Sequence, residues 1–343
     1  MSKLVYVALS GGVDSAAAAI LLKDRGYDVR GVTLRLKPEN LADGDIADAQ
    51  KVADKLGIPL DIIDERESFK SVTDYFCNAY LQGLTPNPCV FCNPNIKIGK
   101  LVDYALKNGA EYVATGHYSD IVEIDGKYYI KKNPTGKDQS YFLCRLNQHL
   151  LSHVMFPLSD LTKDEIRALA ESRGIEVAHK KDSQEVCFIP DNDYISFIEK
   201  QFIPMALPGD FLSTDGEKLG THQGIYKYTI GQRKGLGAFG KPMYVISINP
   251  ENNTVTIGDN HELFTQKIYV NDLSFLSGEI PEDNLPCFVK IRCAAKPAEA
   301  VLKFTDTGAF IEFSEPQRAA APGQTAAIYT DDILIGGGII CNP

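Results

Sequence analysis

The sequence predicts an α/β domain with a parallel sheet, followed by smaller β-rich modules. In the first 115 residues, short apolar segments alternate with amphipathic helical segments. This alternation is typical of a parallel sheet covered by helices. After about residue 202, short β-rich segments are separated by Gly, Pro, Asn and Asp turns. That second pattern is typical of small β modules or a barrel.

The elements of the α/β domain follow in order along the chain. The predicted strands, which are short and apolar, are Leu4–Leu9, Asp28–Leu36, Leu60–Asp64 and Tyr112–Thr115. The predicted helices, which have apolar residues at helical spacing, are Asp14–Arg25, Asp45–Leu56, Ser68–Gln82, Ile96–Lys107 and Thr162–Arg173. Gly26 ends the first helix, and Thr162 with Glu165 has the spacing of a capping box. A hairpin is predicted over Ile121–Ile130, because Asp125-Gly126 is a favourable type I′ turn.

The β-rich part contains strands bounded by turn residues. They are predicted at Met243–Asn249, Thr254–Gly258, Cys287–Cys293, Ala300–Phe304, Ala309–Phe313 and Thr325–Tyr329. We therefore divide the chain into an α/β domain (1–200), a central β-rich domain (201–270) and a C-terminal β-barrel (271–343).

Composition limits the classes of function. Of 343 residues, 35 are Lys or Arg and 45 are Asp or Glu, so the net charge is −10. A nucleic-acid site is then expected to be a local basic patch rather than the whole surface. No apolar stretch approaches the roughly 18 residues of a membrane span, and we expect a soluble, cytoplasmic protein without a membrane partner. In a reducing compartment, eight cysteines favour free thiols, metal ligands or catalytic sulfur over disulfides.

The strongest local motif is Ser10-Gly11-Gly12-Val13-Asp14-Ser15, between the first strand and the first helix. Glycines there let backbone N–H groups surround an anion, and the helix N-terminus adds partial positive charge. The motif is neither a Walker loop nor a dinucleotide fingerprint. Asp14 beside bound phosphates would suit a Mg²⁺ ligand. The alternative is a Ser/Gly turn that merely caps the helix.

This motif resembles the pyrophosphate loop of the ATP-pyrophosphatases, which adenylate a substrate oxygen and release pyrophosphate. Further segments, in chain order, are similar to those of the tRNA-specific 2-thiouridylases. They are Leu84–Pro88, Cys92-Asn93, Ala114–Tyr118, Lys137–Leu143, Lys181–Ser183, Cys187–Ile189, Gly231–Gly237 and Gly336–Ile340. The resemblance covers essentially the whole chain and implies an N-terminal domain like the adenine nucleotide α-hydrolases.

The cysteines indicate sulfur or metal chemistry. Cys89 and Cys92 form a Cys-x-x-Cys, a spacing common to chelating and redox sites. We expect Pro86 and Pro88 to stiffen a loop that presents them. The nearest plausible partner is Cys187, and three thiolates on a cluster would leave one iron open to an exogenous ligand such as sulfide.

The resemblance assigns roles to two of these thiols. It implies that Cys187 carries a persulfide and that Cys92 is the nucleophile that resolves it. Both should then lie in a partly exposed, electropositive setting. Cys89 stands where the family pattern has an aspartate, which favours a [4Fe–4S] cluster held by Cys89, Cys92 and Cys187 over a persulfide relay. The remaining cysteines are expected to be buried spectators: Cys77, Cys144, Cys287, Cys293 and Cys341.

The resemblance also implies the substrate contacts. ATP would contact Ala8, Leu9, Ser10, Gly11, Gly12, Val13, Asp14, Ser15, Leu34 and Gly116. The target base would contact Asn87, Pro88 and Cys89, and other parts of the tRNA would contact His117, Lys137, Asp138, Gln139, Arg292, Cys293 and Gln324. For His117 the alternative is a purely structural hydrogen bond.

Together these observations predict an ATP-dependent enzyme that thiolates C2 of the wobble uridine of tRNA. The activated base would be taken from the anticodon stem-loop, and sulfur would come from free sulfide or a donor protein. The alternatives are another pyrophosphate-loop adenylating synthetase, which would not need Cys92 or Cys187, and a non-catalytic iron–sulfur or zinc protein that binds tRNA.

Overall fold

The computed structural model describes residues 2–37, 39–175, 186–201 and 207–342. The strands of the α/β domain are β1 (Leu4–Ala8), β2 (Asp28–Arg35), β3 (Leu60–Asp64), β4 (Tyr112–Ala114), β5 (Ser119–Ile124), β6 (Lys127–Lys132) and β7 (Val154–Met155). The helices are α1 (Val13–Asp24), α2 (Glu39–Leu56), α3 (Arg66–Leu81), α4 (Pro88–Cys92), α5 (Gly99–Lys107), α6 (Gln148–Leu151), α7 (Lys163–Ser172) and α8 (Tyr194–Gln201). The Lys181–Ser183 segment of the family resemblance lies outside the described residues.

A five-stranded parallel sheet, in the order β3-β2-β1-β4-β7, forms the centre of this domain. Strand β1 lies in the middle, because it pairs with β2 on one side and β4 on the other. Helix α1 packs on the sheet through Ala16–Ala19, whose side chains are fully buried. The carboxyl ends of three adjacent strands therefore meet at the start of α1, where parallel α/β sheets place ligands.

Most of the predicted elements lie within a few residues of the observed ones. The turn residues Asp125 and Gly126 both have positive φ, 51° and 75°, as a type I′ turn requires. The capping box of Thr162 and Glu165 is present at the start of α7. Helix α2 begins at Glu39, six residues before the predicted Asp45. Helix α5 begins at Gly99 rather than Ile96, because a π-helical turn occupies Asn93–Lys97.

The central module is a four-stranded sheet with its own small core. Its strands are β8 (Gly209–Leu212), β9 (Lys218–His222), β10 (Tyr244–Asn249) and β11 (Thr254–Gly258), in the order β10-β11-β8-β9. Phe211, Val245, Val255 and Ile257 fill the interior.

The C-terminal strands close into a six-stranded barrel. They are β12 (Phe264–Phe275), β13 (Leu285–Lys290), β14 (Ala298–Phe304), β15 (Ala309–Arg318), β16 (Thr325–Thr330) and β17 (Ile333–Cys341). Their order is β12-β15-β14-β13-β16-β17, and β17 pairs back to β12. The barrel begins at Phe264, so the expected junction between residues 270 and 271 lies within β12.

The barrel and the α/β domain are joined through a common sheet and core. Strand β6 extends the barrel by pairing with β17, where Ile130 lies opposite Leu334. One hydrophobic cluster contains Tyr141 and Leu143 from the first domain together with Tyr329 and Leu334 from the barrel.

Glycines let the last strand approach its neighbours. A Cβ on Gly336 would lie 2.3 Å from the Ser274 carbonyl oxygen, and one on Gly337 would lie 3.0 Å from the Cys144 sulfur of the first domain. Strand β17 thus packs backbone against both its own barrel and the α/β domain. No helix in the described part of the chain is long and apolar enough to cross a membrane.

Candidate active site

The loop at residues 10–15 has the geometry of an anion site. Gly11 has φ +70°, and Gly12 is the N-cap of α1, where it offers no side chain to cap the first N–H groups of the helix. Those groups and the helix dipole favour an anion at this end. The Ser15 hydroxyl donates to the Gly12 carbonyl (2.9 Å) and accepts from the Ser10 N–H (3.2 Å), which fixes the loop's shape.

Two glycines allow close packing around this loop. A Cβ on Gly11 would lie 2.7 Å from Cβ of Asp48 and 2.9 Å from the Asp45 carbonyl oxygen in α2. A Cβ on Gly116 would lie 2.9 Å from the carbonyl carbon of Asp14. Residue 116 follows β4, so the ends of β1 and β4 meet at the loop.

The other predicted ATP residues contribute in different ways. Leu9 and Val13 are buried in the core, so only their backbones are available to a ligand. Ala8 is half-buried at the end of β1. Leu34 lies near the end of β2 and packs against two hydrophobic clusters.

The Asp14 carboxylate is held by two side chains that sequence reasoning did not select. Its Oδ1 accepts from the Lys163 ammonium (2.7 Å) and from the Tyr118 hydroxyl (2.5 Å). Lys163 is the first residue of α7, which packs along α1.

The Cys-x-x-Cys lies on a helix rather than in the expected loop. Asn87 is the N-cap of α4 and Pro88 occupies its first turn, where a missing N–H costs nothing. Cys89 and Cys92 are three residues apart on this turn, so their side chains lie on one face. Pro86 precedes this turn, but the helical conformation of α4 is what orients the two thiols.

Burial dominates the electrostatics of these thiols. Desolvation, and to a smaller extent the nearby Cys187 thiol, raise the pKa of Cys89 to about 11 and that of Cys92 to about 12. The pKa of Cys187 is also raised by desolvation, although its side chain is exposed. The Lys97 ammonium opposes these shifts in all three thiols. The expected positive charge is present, but its influence on pKa is smaller than that of burial.

Cys187 lies within electrostatic range of residues that flank the phosphate loop. Its thiol interacts with Lys37 and Asp45 as well as with Lys97. Lys37 and Asp45 form an ion pair at 3.0 Å, and the Asp45 carbonyl is one of the atoms that pack against Gly11. Asp45 therefore adjoins Gly11 of the loop and interacts with the Cys187 thiol.

The predicted tRNA segment 137–139 is packed beside the phosphate loop. The Lys137 ammonium lies 4.7 Å from the centroid of the Tyr118 ring. The Asp138 carboxylate accepts from the Ser140 N–H (3.0 Å) and hydroxyl (2.8 Å), so it stabilises its own turn. Gln139 accepts from the Tyr118 N–H at 3.0 Å.

His117 makes a hydrogen bond of the structural kind given above as the alternative, and its contact with tRNA stays a prediction. It is buried, and its Nδ1 pairs with the Thr115 hydroxyl at 2.7 Å. Desolvation, and then Lys97, hold its pKa well below the ordinary 6.5, so the ring is neutral.

The barrel residues reach the cysteine helix from the other side. Gln324 donates to the Thr85 carbonyl at 2.9 Å, and Thr85 N–H donates to the Pro322 carbonyl at 2.8 Å. Arg292 donates to the Ile230 carbonyl of the central module at 2.8 Å. Cys293 is half-buried and lies near enough to Cys89 to raise the pKa of that thiol.

All eight cysteines are free thiols. Cys77, Cys144 and Cys287 are buried as expected, whereas Cys293 and Cys341 are only half-buried. No group of three or more His, Cys, Asp or Glu side chains among residues 2–37, 39–175, 186–201 and 207–342 is arranged to hold a metal ion. The three thiols as placed therefore do not form the predicted cluster site.

Known proteins match the chain over its whole length. Residues 3–191 match the family model described as a tRNA methyl transferase HUP domain, residues 195–259 its PRC-barrel domain, and residues 265–340 an aminomethyltransferase beta-barrel domain. The tRNA-specific 2-thiouridylase MnmA of Clostridioides difficile is 45% identical, with 99% of this chain and 98% of that protein covered. The chain belongs to the tRNA-specific 2-thiouridylase family.

Two further 2-thiouridylases are similar to this chain to the same degree. MnmA of Acetivibrio thermocellus is 44% identical over 98% of this chain and 99% of its own, and MnmA 1 of Caldanaerobacter subterraneus is 46% identical over 98% and 97%. Among solved structures, the U34-tRNA thiolase NcsA from Methanococcus maripaludis with its [4Fe-4S] cluster overlaps 58% of this chain and 66% of its own. Its identity is 21% and its TM-score 0.39, too low to bear on the chemistry of this thiouridylase.

Sequence reasoning did not select three residues of this candidate site: Lys97, Tyr118 and Lys163. Tyr118 follows His117 and directly precedes β5, and nothing in the neighbouring sequence indicates that its hydroxyl reaches Asp14. Lys163 is separated from Asp14 by 149 residues, so only the packing of α7 on α1 brings them together. The π-helical turn that ends at Lys97 is itself a signal, since such turns are frequent at functional sites.

Proposed function

We propose that this chain catalyses ATP-dependent 2-thiolation of the wobble uridine in the anticodon stem-loop of tRNA. The observation that carries the proposal is that, in a member of the 2-thiouridylase family, Asp45 packs against Gly11 of an anion-binding loop and interacts electrostatically with the free thiol of Cys187, which in turn interacts with Cys89 and Cys92. A methyl-transfer reaction would not need the thiols, whereas a sulfur-transfer reaction needs them.

The first step activates the base. The C2 oxygen of uridine forms a bond to the α-phosphorus of ATP, and the bond to pyrophosphate breaks. The 10–15 loop and the N-terminus of α1 would hold the phosphates, and Lys163 would supply positive charge at the same place. Mg²⁺ fits Asp14, because one carboxylate oxygen is taken by Lys163 and Tyr118 and a second remains.

The second step exchanges oxygen for sulfur. Sulfur forms a bond to C2, and the C2–O bond breaks with departure of AMP. In a persulfide relay, a persulfide or polysulfide donor first transfers one sulfane sulfur to the Cys187 thiolate, which forms the Cys187 S–S bond and breaks that of the donor. The terminal sulfur on Cys187 then attacks C2. Cys92 then attacks the Cys187 sulfur, which breaks the S–S bond, leaves the sulfur on the base and gives a Cys92–Cys187 disulfide. A thiol reductant must restore the pair before the next turnover.

A [4Fe–4S] cluster is the other form of the sulfur centre, predicted from the soft ligand set of Cys89, Cys92 and Cys187. Because these thiols as placed do not make a three-ligand site, we route no step through a cluster. Iron and acid-labile sulfide in anaerobically purified protein decide between the forms. About four irons per chain, lost in Cys89→Ala and retained in Cys341→Ala, would establish the cluster. Full thiolation by iron-free protein would establish the relay.

The function itself is tested with purified protein, lysine tRNA transcript, ATP, Mg²⁺ and a sulfur source, which is polysulfide for the relay and sulfide for a cluster. We expect AMP and 2-thiouridine in equal amounts, loss of thiolation in Cys92→Ser and Cys187→Ser, and normal thiolation in Cys341→Ser. AMP formation on a small substrate, indifferent to Cys92, would instead indicate another adenylating synthetase. Binding of tRNA without any AMP would indicate a non-catalytic protein.

A further inference from the structure

Tyr118 connects the anion site to the predicted tRNA segment. Its side chain is fully buried, and its hydroxyl donates to Asp14 Oδ1 at 2.5 Å. A buried aromatic ring has little rotational freedom, so a change in the contacts of its backbone or ring affects the contact of its hydroxyl.

The other end of Tyr118 is tied to the 137–139 segment. The Tyr118 N–H donates to the Gln139 side-chain oxygen at 3.0 Å, and the Gln139 N–H donates to the Tyr118 carbonyl at 3.0 Å. The Lys137 ammonium lies 4.7 Å from the ring centroid, and the Lys163 ammonium, which pairs with Asp14, lies 6.0 Å from it. One side chain thus contacts both proposed binding regions.

We propose that Tyr118 is a positioning residue through which tRNA and ATP strengthen each other's binding. This inference rests on the proposed function. A cation over the ring draws electron density from the phenol and strengthens the hydroxyl as a donor to Asp14. When an RNA phosphate takes the Lys137 ammonium, the hydroxyl donates less strongly, and Asp14 becomes more available to Mg²⁺ and ATP.

The consequence is reciprocal. If tRNA raises the affinity for ATP by some factor, ATP raises the affinity for tRNA by the same factor, which is typically about 5–150-fold for coupled sites. The coupling requires that the Tyr118–Asp14 hydrogen bond differ in strength between the free and the tRNA-bound protein. A ligand shifts an equilibrium only when it interacts differently with the two states.

The test measures the dissociation constant of a non-hydrolysable ATP analogue with Mg²⁺, in the presence and absence of lysine tRNA transcript. In the wild type we expect tRNA to tighten the analogue at least about fivefold. In Tyr118→Phe, which keeps the ring and removes the hydroxyl, we expect tight analogue binding without tRNA and a ratio near one. Lys137→Met should give the same result by removing the cation.

The matched control is Tyr104→Phe, because Tyr104 also donates to an aspartate, Asp61, at 3.1 Å in another part of the domain. It should keep the wild-type ratio. A wild-type ratio in Tyr118→Phe, or a ratio of one in the wild type, would overturn the role of Tyr118 while leaving the proposed function intact. Failure of the wild type to bind tRNA or the analogue would overturn both.

Discussion

Gly11 carries two separate requirements at a single residue. Its φ of +70° disfavours any side chain, and its position against Asp48 leaves no room for a Cβ. Gly26, at the end of α1, has φ +84° but open space around it. A comparison of substitutions at Gly11 and Gly26 therefore separates two contributions to the free energy of unfolding: the left-handed backbone conformation and steric crowding.

We predict that Gly26→Ala lowers the free energy of unfolding by about 1–2 kcal/mol, the cost of the left-handed conformation. Gly11→Ala should cost about 1–3 kcal/mol more because it also crowds α2. It should weaken binding of the ATP analogue, whereas Gly26→Ala should not. Chemical unfolding and analogue titration measure both effects, and equal costs for the two variants would contradict the packing at Gly11.

The buried His117 imidazole makes the free energy of unfolding depend on pH. The folded state keeps its pKa well below 6.5, so acid protonates the unfolded state first. The stability contributed by this residue is complete above pH 6.5 and is lost as pH falls toward the folded pKa.

At 1.36 kcal/mol per pH unit, the loss from His117 reaches at most about 2 kcal/mol between pH 6.5 and 5. We expect His117→Asn to make the free energy of unfolding less dependent on pH over that range. His149→Asn, at an exposed site, should leave the wild-type slope. An unchanged slope in His117→Asn would contradict the buried neutral imidazole.

At the scale of elements, the cysteine helix α4 depends on the barrel. The Gln324 amide and the Pro322 carbonyl bind the backbone of Thr85, three residues before Pro88. Gly323 packs against the same segment, where a Cβ would lie 2.8 Å from the Thr85 nitrogen. Gln324, expected from the family resemblance to contact tRNA, is thus also a support for the helix that presents the thiols.

Removing this support should impair sulfur transfer. We expect Gln324→Ala to lower the thiolation rate about tenfold to a hundredfold, since small displacements of reacting groups have effects of that size. ATP analogue binding should stay unchanged, because the phosphate loop does not contact Gln324. Gln317→Ala, which loses only a local bond to Glu315, is the control. A normal rate in Gln324→Ala would show that α4 needs no support from the barrel.

The elements that could be predicted are those with a local pattern. Strand β1, helix α1, the 125–126 turn and the capping box of α7 each show their signal within a few adjacent residues. Strands β7, β8, β9, β12 and β17 were not predicted. Strand β7 has only two residues, and β17 contains three consecutive glycines, which weaken a strand pattern. The Lys163–Asp14 pair could not be predicted, since it depends on how α7 packs on α1.

At the scale of the whole molecule, the three parts form one structural unit. The barrel residues Ala327, Tyr329 and Leu334 complete the same hydrophobic cluster as Tyr141 and Leu143 of the α/β domain. Tyr226 of the central module likewise packs into a cluster with α3 residues. The barrel and the central module therefore each contact the α/β domain through buried apolar side chains, which favours cooperative unfolding.

We predict a single thermal transition in calorimetry, with equal calorimetric and van't Hoff enthalpies. A chain ending at residue 263 should bind a hydrophobic dye and aggregate, because it exposes the Tyr141 and Leu143 cluster and the edge of β6. Two resolved transitions in the full chain, one assigned to the barrel by limited proteolysis, would show that the common core is weak.

The close approach of β17 to Cys144 has a consequence for exchange of parts between related proteins. A Cβ on Gly337 would lie 2.8 Å from the Ala326 carbonyl oxygen of its own barrel and 3.0 Å from the Cys144 sulfur of the first domain, so a methyl group there would crowd both neighbours. A barrel transplanted from another protein would need a glycine at this point and a side chain no larger than cysteine opposite it. Recombination at the linker before residue 264 would therefore yield functional hybrids only when both surfaces are inherited as a pair.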